Sequence, residues 1–144
     1  MIARAMIATL LAGCIADLGP EVGPPRRALC DNADSEPGTA TSYERDIVPI
    51  LDGNRCFDCH TPGGKTPFGL EVSGLDLSTR STLLAGGGRS AATIVLPGRP
   101  CESILLQKVQ DTPPFGGRMP LDGPPFVDPF AIQTIGDWIA EGGL

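Results

Sequence analysis

Cys56-Phe57-Asp58-Cys59-His60 is the stretch on which the reading of this chain turns. It has the form Cys-x-x-Cys-His, the pattern for covalent attachment of a c-type haem. Thiols at this spacing can add across the two haem vinyl groups, and a histidine directly after the second is placed to ligate the iron. Two other readings are weaker. A structural zinc site takes four ligands, whereas the chain has one histidine and no second Cys-x-x-Cys. A thioredoxin-like dithiol belongs beside a βαβ pattern, and no convincing alternating strand is present.

Haem attachment through thioethers calls for export, and the N-terminus supplies a matching pattern. Arg4 gives a basic flank, Met6 to Ala12 is a short apolar run, and the run ends Leu11-Ala12-Gly13-Cys14. Small residues before a cleavage point mark a secretory signal. Ending directly on cysteine resembles the bacterial lipobox, which implies lipid on Cys14 and removal of residues 1–13. The alternatives are an ordinary N-terminal helix with a chance cysteine, or a signal cleaved elsewhere. The segment is too short to span a bilayer, which takes about 20 residues, but acyl chains on Cys14 would hold the protein on a membrane. Ile15, rather than Asp, follows the cysteine and slightly favours the outer membrane. The expected location is the periplasmic face of a cell-envelope membrane.

A six-coordinate iron needs a ligand opposite His60. With a single histidine in the chain, a second imidazole is excluded. Met1 and Met6 leave with the signal, so Met119 is the remaining methionine. A lone methionine is often a core filler, but Met119 sits in Gly116-Gly117-Arg118-Met119-Pro120, a loop rather than a helical stripe. His60 and Met119 are therefore the expected axial pair. Thioether ligation favours ferrous iron and raises the reduction potential. Arg89, Arg99 and Arg118 are candidates for the haem propionates.

Of the five cysteines, Cys14 is assigned to lipid and Cys56 and Cys59 to haem. Cys30 and Cys101 remain, either as a disulfide suited to an oxidising compartment or as two free thiols. The formal charge of −6 and the lack of a basic stripe argue against nucleic acid. An acidic carrier favours redox partner proteins with basic docking surfaces. No small-molecule substrate is expected.

The 144 residues suffice for one domain. With 15 prolines and 19 glycines, irregular structure should dominate. Residues 14–40 read as a lipid-anchored flexible tether and 41–144 as the haem domain. Thr41-x-x-Glu44 predicts a capped first helix carrying Tyr43, Ile47, Ile50 and Leu51, disturbed by Pro49 and ended by Gly53. Residues 61–78 read as loop. Ser78 is the expected cap of a short helix that stops at Gly86-Gly87-Gly88. The glycine triplet lacks the Lys-Ser/Thr of a phosphate loop. Further helices are expected from Pro100 to Val109 and, after Asp128 and Pro129, along Ile132, Ile135, Trp138 and Ile139. Residues 111–127 are Pro/Gly-rich loop. The fold class is all-α, a few short helices and long loops around one covalent haem.

Residues 43–144 resemble the planctomycete-type small cytochrome c domains, within the class I cytochrome c fold. The resemblance is carried by Ile47-Val48-Pro49-Ile50-Leu51, Cys56-Phe57-Asp58-Cys59-His60, Gly74-Leu75-Asp76-Leu77, Leu83-Leu84-Ala85-Gly86-Gly87, Val95-Leu96-Pro97-Gly98, Ser103-Ile104-Leu105, Arg118-Met119-Pro120 and Ile135-Gly136-Asp137-Trp138-Ile139. It implies one haem c on Cys56 and Cys59, axial His60 and Met119, and a Trp138 helix crossing the first helix near the haem edge. Cys101 departs from the family pattern, which supports a link to Cys30. The expected role is a monohaem lipoprotein that carries single electrons, alone or as an electron-transfer subunit of a larger oxidoreductase, and not an enzyme itself. The alternative is a binding or structural lipoprotein module in which haem organises the fold. A peroxidase would need an open iron position and a distal acid or base, which one histidine does not offer.

Overall fold

The computed structural model describes residues 30–143. Cys14, the expected signal peptide and the first part of the expected tether lie outside the described residues. Six short helices and no strand occur among the described residues: α1 Val48–Gly53, α2 Cys56–His60, α3 Phe68–Ser73, α4 Arg80–Ala85, α5 Ile104–Val109 and α6 Pro129–Ala140. No helix among them is long and apolar enough to cross a membrane.

Helix α1 is entered through a π turn, Tyr43–Ile47. The cap is Ser42, not the expected Thr41. The Ser42 hydroxyl accepts from the Arg45 N–H, while the Ser42 N–H donates to Asp46 at 2.7 Å. Thr41 is drawn away by Glu141, which accepts from its N–H and hydroxyl at 2.7 and 3.0 Å. Pro49 falls in the first turn of α1, where its missing N–H is not required. The π turn before it absorbs the disturbance that Pro49 was expected to cause.

Three other boundaries differ from expectation. Helix α4 is capped by Thr79, whose hydroxyl accepts from the Thr82 N–H at 3.1 Å, because the Ser78 hydroxyl turns to Asp76. Helix α3 lies inside the segment expected to be loop, and Gly74 closes it at φ +68°. The helix expected over Pro100–Val109 is broken into a 3₁₀ turn, Pro100–Glu102, and α5. The break is at Ser103, which is extended and fully buried. Its hydroxyl accepts from the Leu96 N–H at 2.8 Å and donates to the Arg99 carbonyl at 2.9 Å. Those two bonds replace what a continuous helix would have given.

Helix α6 begins as expected: the Asp128 carboxylate accepts from the N–H groups of Phe130 and Ala131 at 3.0 and 3.1 Å. Ile135, Trp138 and Ile139 are fully buried, and Ile132 packs partly against them. Trp138 meets Tyr43 of the π turn, ring centroids 5.6 Å apart and tilted by 40°, an ordinary aromatic approach. Around this pair gather Ile47 and Leu51, Leu77 and Leu83, Ile94 and Val95, and Leu105, Leu106 and Val109 of α5. The Tyr43 hydroxyl donates to the Leu77 carbonyl at 3.4 Å. Burial, with the charges of Glu44 and Asp76 behind it, pushes this phenol up to about 12, so it stays neutral.

Residues 30–41 form a strap fastened to the domain. A disulfide joins Cys30 to Cys101 with Cα atoms 5.5 Å apart across 71 positions. Asn32 Oδ1 accepts from the Cys101 N–H at 2.9 Å. The Ser35 N–H and hydroxyl donate to the buried Asp137 carboxylate at 2.8 and 2.7 Å. The part of the expected tether from Cys30 to Ala40 therefore lies against the folded body.

Candidate haem-binding site

The three residues of the Cys-x-x-Cys-His run share the single turn α2. The turn starts abruptly: Arg55 before it adopts φ +58°, a left-handed conformation unusual for a residue with a side chain. The turn is braced at its middle and its end, by the Thr66 N–H donating to the Asp58 carbonyl at 2.9 Å and the Leu77 N–H donating to the His60 carbonyl at 2.8 Å. On this turn Cys56 and Cys59 stand three positions apart, hence on one face. Neither is disulfide-bonded. Burial pushes the Cys56 thiol up to about 11, so it is protonated at neutral pH. A nucleophilic or exchanging dithiol needs the opposite shift, which disfavours the redox-pair reading. No cluster of three or more His, Cys, Asp or Glu able to hold a metal ion occurs among the described residues.

His60 is almost fully buried, and its Nδ1 lies 3.2 Å from the Leu75 carbonyl. A carbonyl can only accept, so Nδ1 carries the proton and Nε2 keeps its lone pair. Burial above all lowers the pKa of this imidazole; the Leu75 carbonyl opposes that, and the Lys108 charge adds to it. A neutral ring oriented through one nitrogen, with the other free to coordinate, is the usual arrangement of a metal-ligating histidine. Gly69 completes it: a Cβ at that position would lie 2.7 Å from Nε2. Glycine leaves that side of the ring clear of any side chain.

Met119 lies on a separate loop, between α5 and α6, and is half-buried. Its N–H donates to the Lys108 carbonyl at 2.7 Å. The neighbouring Arg118 donates through Nε to the Val109 carbonyl at 3.0 Å and stacks over Phe126 at 4.1 Å. The loop is linked to α2 by Asp122, which pairs with Arg55 at 2.9 Å. Arg55 also pairs with Asp58 at 3.3 Å, within the Cys-x-x-Cys-His run. Of the arginines considered for propionates, Arg99 is paired with Glu102, and Arg89 lies 5.5 Å from the Phe115 ring centroid.

Residues 56–122 match the family described as planctomycete cytochrome C. The match supports a planctomycete-type cytochrome c domain over these residues. The match begins at Cys56 and ends just past Met119, so it spans both expected ligand segments. No curated protein and no solved structure matches the chain. The matched family implies covalent haem c, and the residues of this segment fit that group. Both thiols are unpaired on one turn, Nε2 is left with its lone pair, and Gly69 opens the space beside it. Apolar side chains are also left exposed on the segments flanking the two ligand positions: Phe68 and Val72 on α3, and Leu121 after Met119. A flat apolar ring is the kind of group that would cover such surfaces.

The sequence did not point to the Leu75 carbonyl, Gly69 or Lys108. Gly74-Leu75-Asp76-Leu77 was readable only as a stretch shared with the family. The role of Leu75 is exercised by its backbone, to which no residue type is specific. A hollow of about 230 Å³ between the strap and α6, lined by Ser35, Arg45, Phe130 and Asp137 among others, is away from α2.

Proposed function

We propose that this protein is a monohaem c-type cytochrome that carries single electrons. Cys56 and Cys59 would hold the haem, with His60 and Met119 as the axial ligands. The observation that carries the reading is the state of His60: buried, neutral, protonated on Nδ1 toward Leu75, and seated on the same turn as two free thiols. Bound haem supplies a one-electron Fe(III)/Fe(II) couple. The chain's own contribution is to orient Nε2 through the Leu75 carbonyl, to keep position 69 free of a side chain, and to present Met119 from a loop tied to α5. With His60 and Met119 both holding the group, no position would be left for a substrate, and a thioether ligand would favour a comparatively positive potential.

The reading extends to the envelope. Leu11-Ala12-Gly13-Cys14 supports lipid attachment at Cys14 and a periplasmic location on a membrane, Ile15 slightly favours the outer one, and the net charge of −6 favours partners with basic docking surfaces. A Cys30–Cys101 disulfide accords with an oxidising compartment.

The deciding experiment is a spectroscopic redox titration of the protein matured with covalent haem. A low-spin spectrum, a far-red thioether-to-iron band in the oxidised form and reversible one-electron cycling are expected. A high-spin iron that binds CO readily and turns over peroxide would refute the carrier role. Conversion of Cys14 to Ser should release the protein from membranes; retention there would refute the anchor.

A further inference from the structure

The loop that carries Met119 is folded around one ammonium group. Lys108, in the last turn of α5, donates from Nζ to the Phe115 carbonyl and, at 3.2 Å, to the Gly117 carbonyl. The same Nζ lies 4.4 Å from the centroid of the Phe115 ring. Gly116, between the two acceptors, passes so close that a Cβ there would lie 3.3 Å from Nζ, and its φ of +59° is one that glycine adopts freely. Finally, the Lys108 carbonyl receives the Met119 N–H at 2.7 Å. One residue thus grips the loop from its side chain and from its backbone, on either side of Arg118. Beyond Lys108, the loop is tied by Arg118 to the Val109 carbonyl and the Phe126 ring and by Asp122 to Arg55, all from residue 118 onward. Residues 111–127 contain no helix, and Gly116 and Gly117 give it no side chains to pack.

We propose that Lys108 is the positioning residue for Met119: its ammonium group organises residues 115–117 so that the thioether is presented to the iron. The proposal rests on the reading of Met119 as axial ligand. A lysine is suited to the task because its three N–H donors radiate from one point, and a compact cation at the centre of a turn can serve two carbonyls and an aromatic face together.

The test uses the full haem-bearing protein and the variants Lys108→Met, Lys108→Arg, Gly116→Ala and Met119→Ala. Lys108→Met keeps the length and removes the donors. It should abolish most of the far-red band, raise CO affinity of the ferrous form by about tenfold or more, and speed hydrogen exchange at the Met119 amide by a similar factor, as expected for loss of bonds from a charged donor. Covalent haem should be retained. Lys108→Arg, which keeps charge and donors, should restore most of the band. Gly116→Ala, which crowds Nζ without removing it, should weaken the band in the same direction. If Met119→Ala removes the band while Lys108→Met changes neither band, CO affinity nor amide exchange, Lys108 has no positioning role and the ligand reading stands. If Met119→Ala leaves the band intact, the ligand reading fails and takes the proposal with it. Should Lys108→Met fail to retain haem, Gly116→Ala decides, and an unchanged band there overturns the proposal.

Discussion

The turn that bears His60 and the loop that bears Met119 are held in opposite ways. The first is local. Its two thiols and its imidazole fall within five consecutive residues, and the groups that brace it, Thr66, Leu75 and Leu77, follow within a short stretch of chain. The second has no regular structure and takes its shape from α5, through Lys108 and Val109, and from Arg55, the residue before α2. A locally braced site can form before the domain is complete, whereas a borrowed one requires the α5 packing to be in place. A protein that acquires its haem covalently has reason to keep the attachment turn independent of the rest.

Removing the disulfide by Cys30→Ser with Cys101→Ser gives the largest expected effect. Opening a loop of 71 positions should lower stability by about 4 kcal/mol in the chain-entropy view, read from denaturant unfolding. The far-red band should survive, since the strap's hydrogen bonds go to Arg45, Cys101, Asp137 and Glu141 and to neither ligand segment. Its loss would mean that the Met119 side depends on the 3₁₀ turn at Cys101 as well as on α5. Next comes the thiol of Cys56 in the haem-free protein. With its pKa near 11 rather than the ordinary 9.0, it should alkylate about a hundredfold more slowly than an exposed cysteine at pH 8, with the rate rising about tenfold per pH unit. Alkylation at the ordinary rate would show that the turn is not preformed, and would break the comparison outright. Met119→Ala should lower the reduction potential by on the order of 0.1 V, a fraction of the range that axial ligands command, while leaving both thioether links intact. Last is Arg55→Gln, which severs the direct pair between the two regions. Both partners are well exposed, 67% and 65%, so stability should not change measurably. A marked loss of the far-red band in this variant would show that the two regions support each other more than their separate anchoring implies.

The same contrast explains what the sequence made legible. The Cys56–His60 turn could be read because its chemistry is contiguous. Helix α6 could be read because Asp128, Pro129 and the Ile135–Trp138–Ile139 spacing act within one element. Where neighbouring residues compete for one role, the reading slipped by one position: Ser42 took the cap from Thr41, and Thr79 took it from Ser78, each decided by a partner elsewhere, Glu141 or Asp76. Helix α3 was hidden by its glycines, although Gly74 is the residue that ends it. The break at Ser103 depends on Leu96 and Arg99 meeting one hydroxyl, and the grip of Lys108 depends on a loop returning to it. Neither leaves a periodic trace.

The strap also sets the route by which force would travel. Because Cys30 is covalently joined to Cys101, a pull on the chain from the N-terminal side passes directly into the 3₁₀ turn that leads to α5. Residues 31–42, and with them the approach to the Cys56–His60 turn, are bypassed and carry no tension while the bond holds. Cleave the bond and the same pull would peel Ser35 from Asp137 and Thr41 from Glu141 in succession, before reaching the π turn that leads into α1.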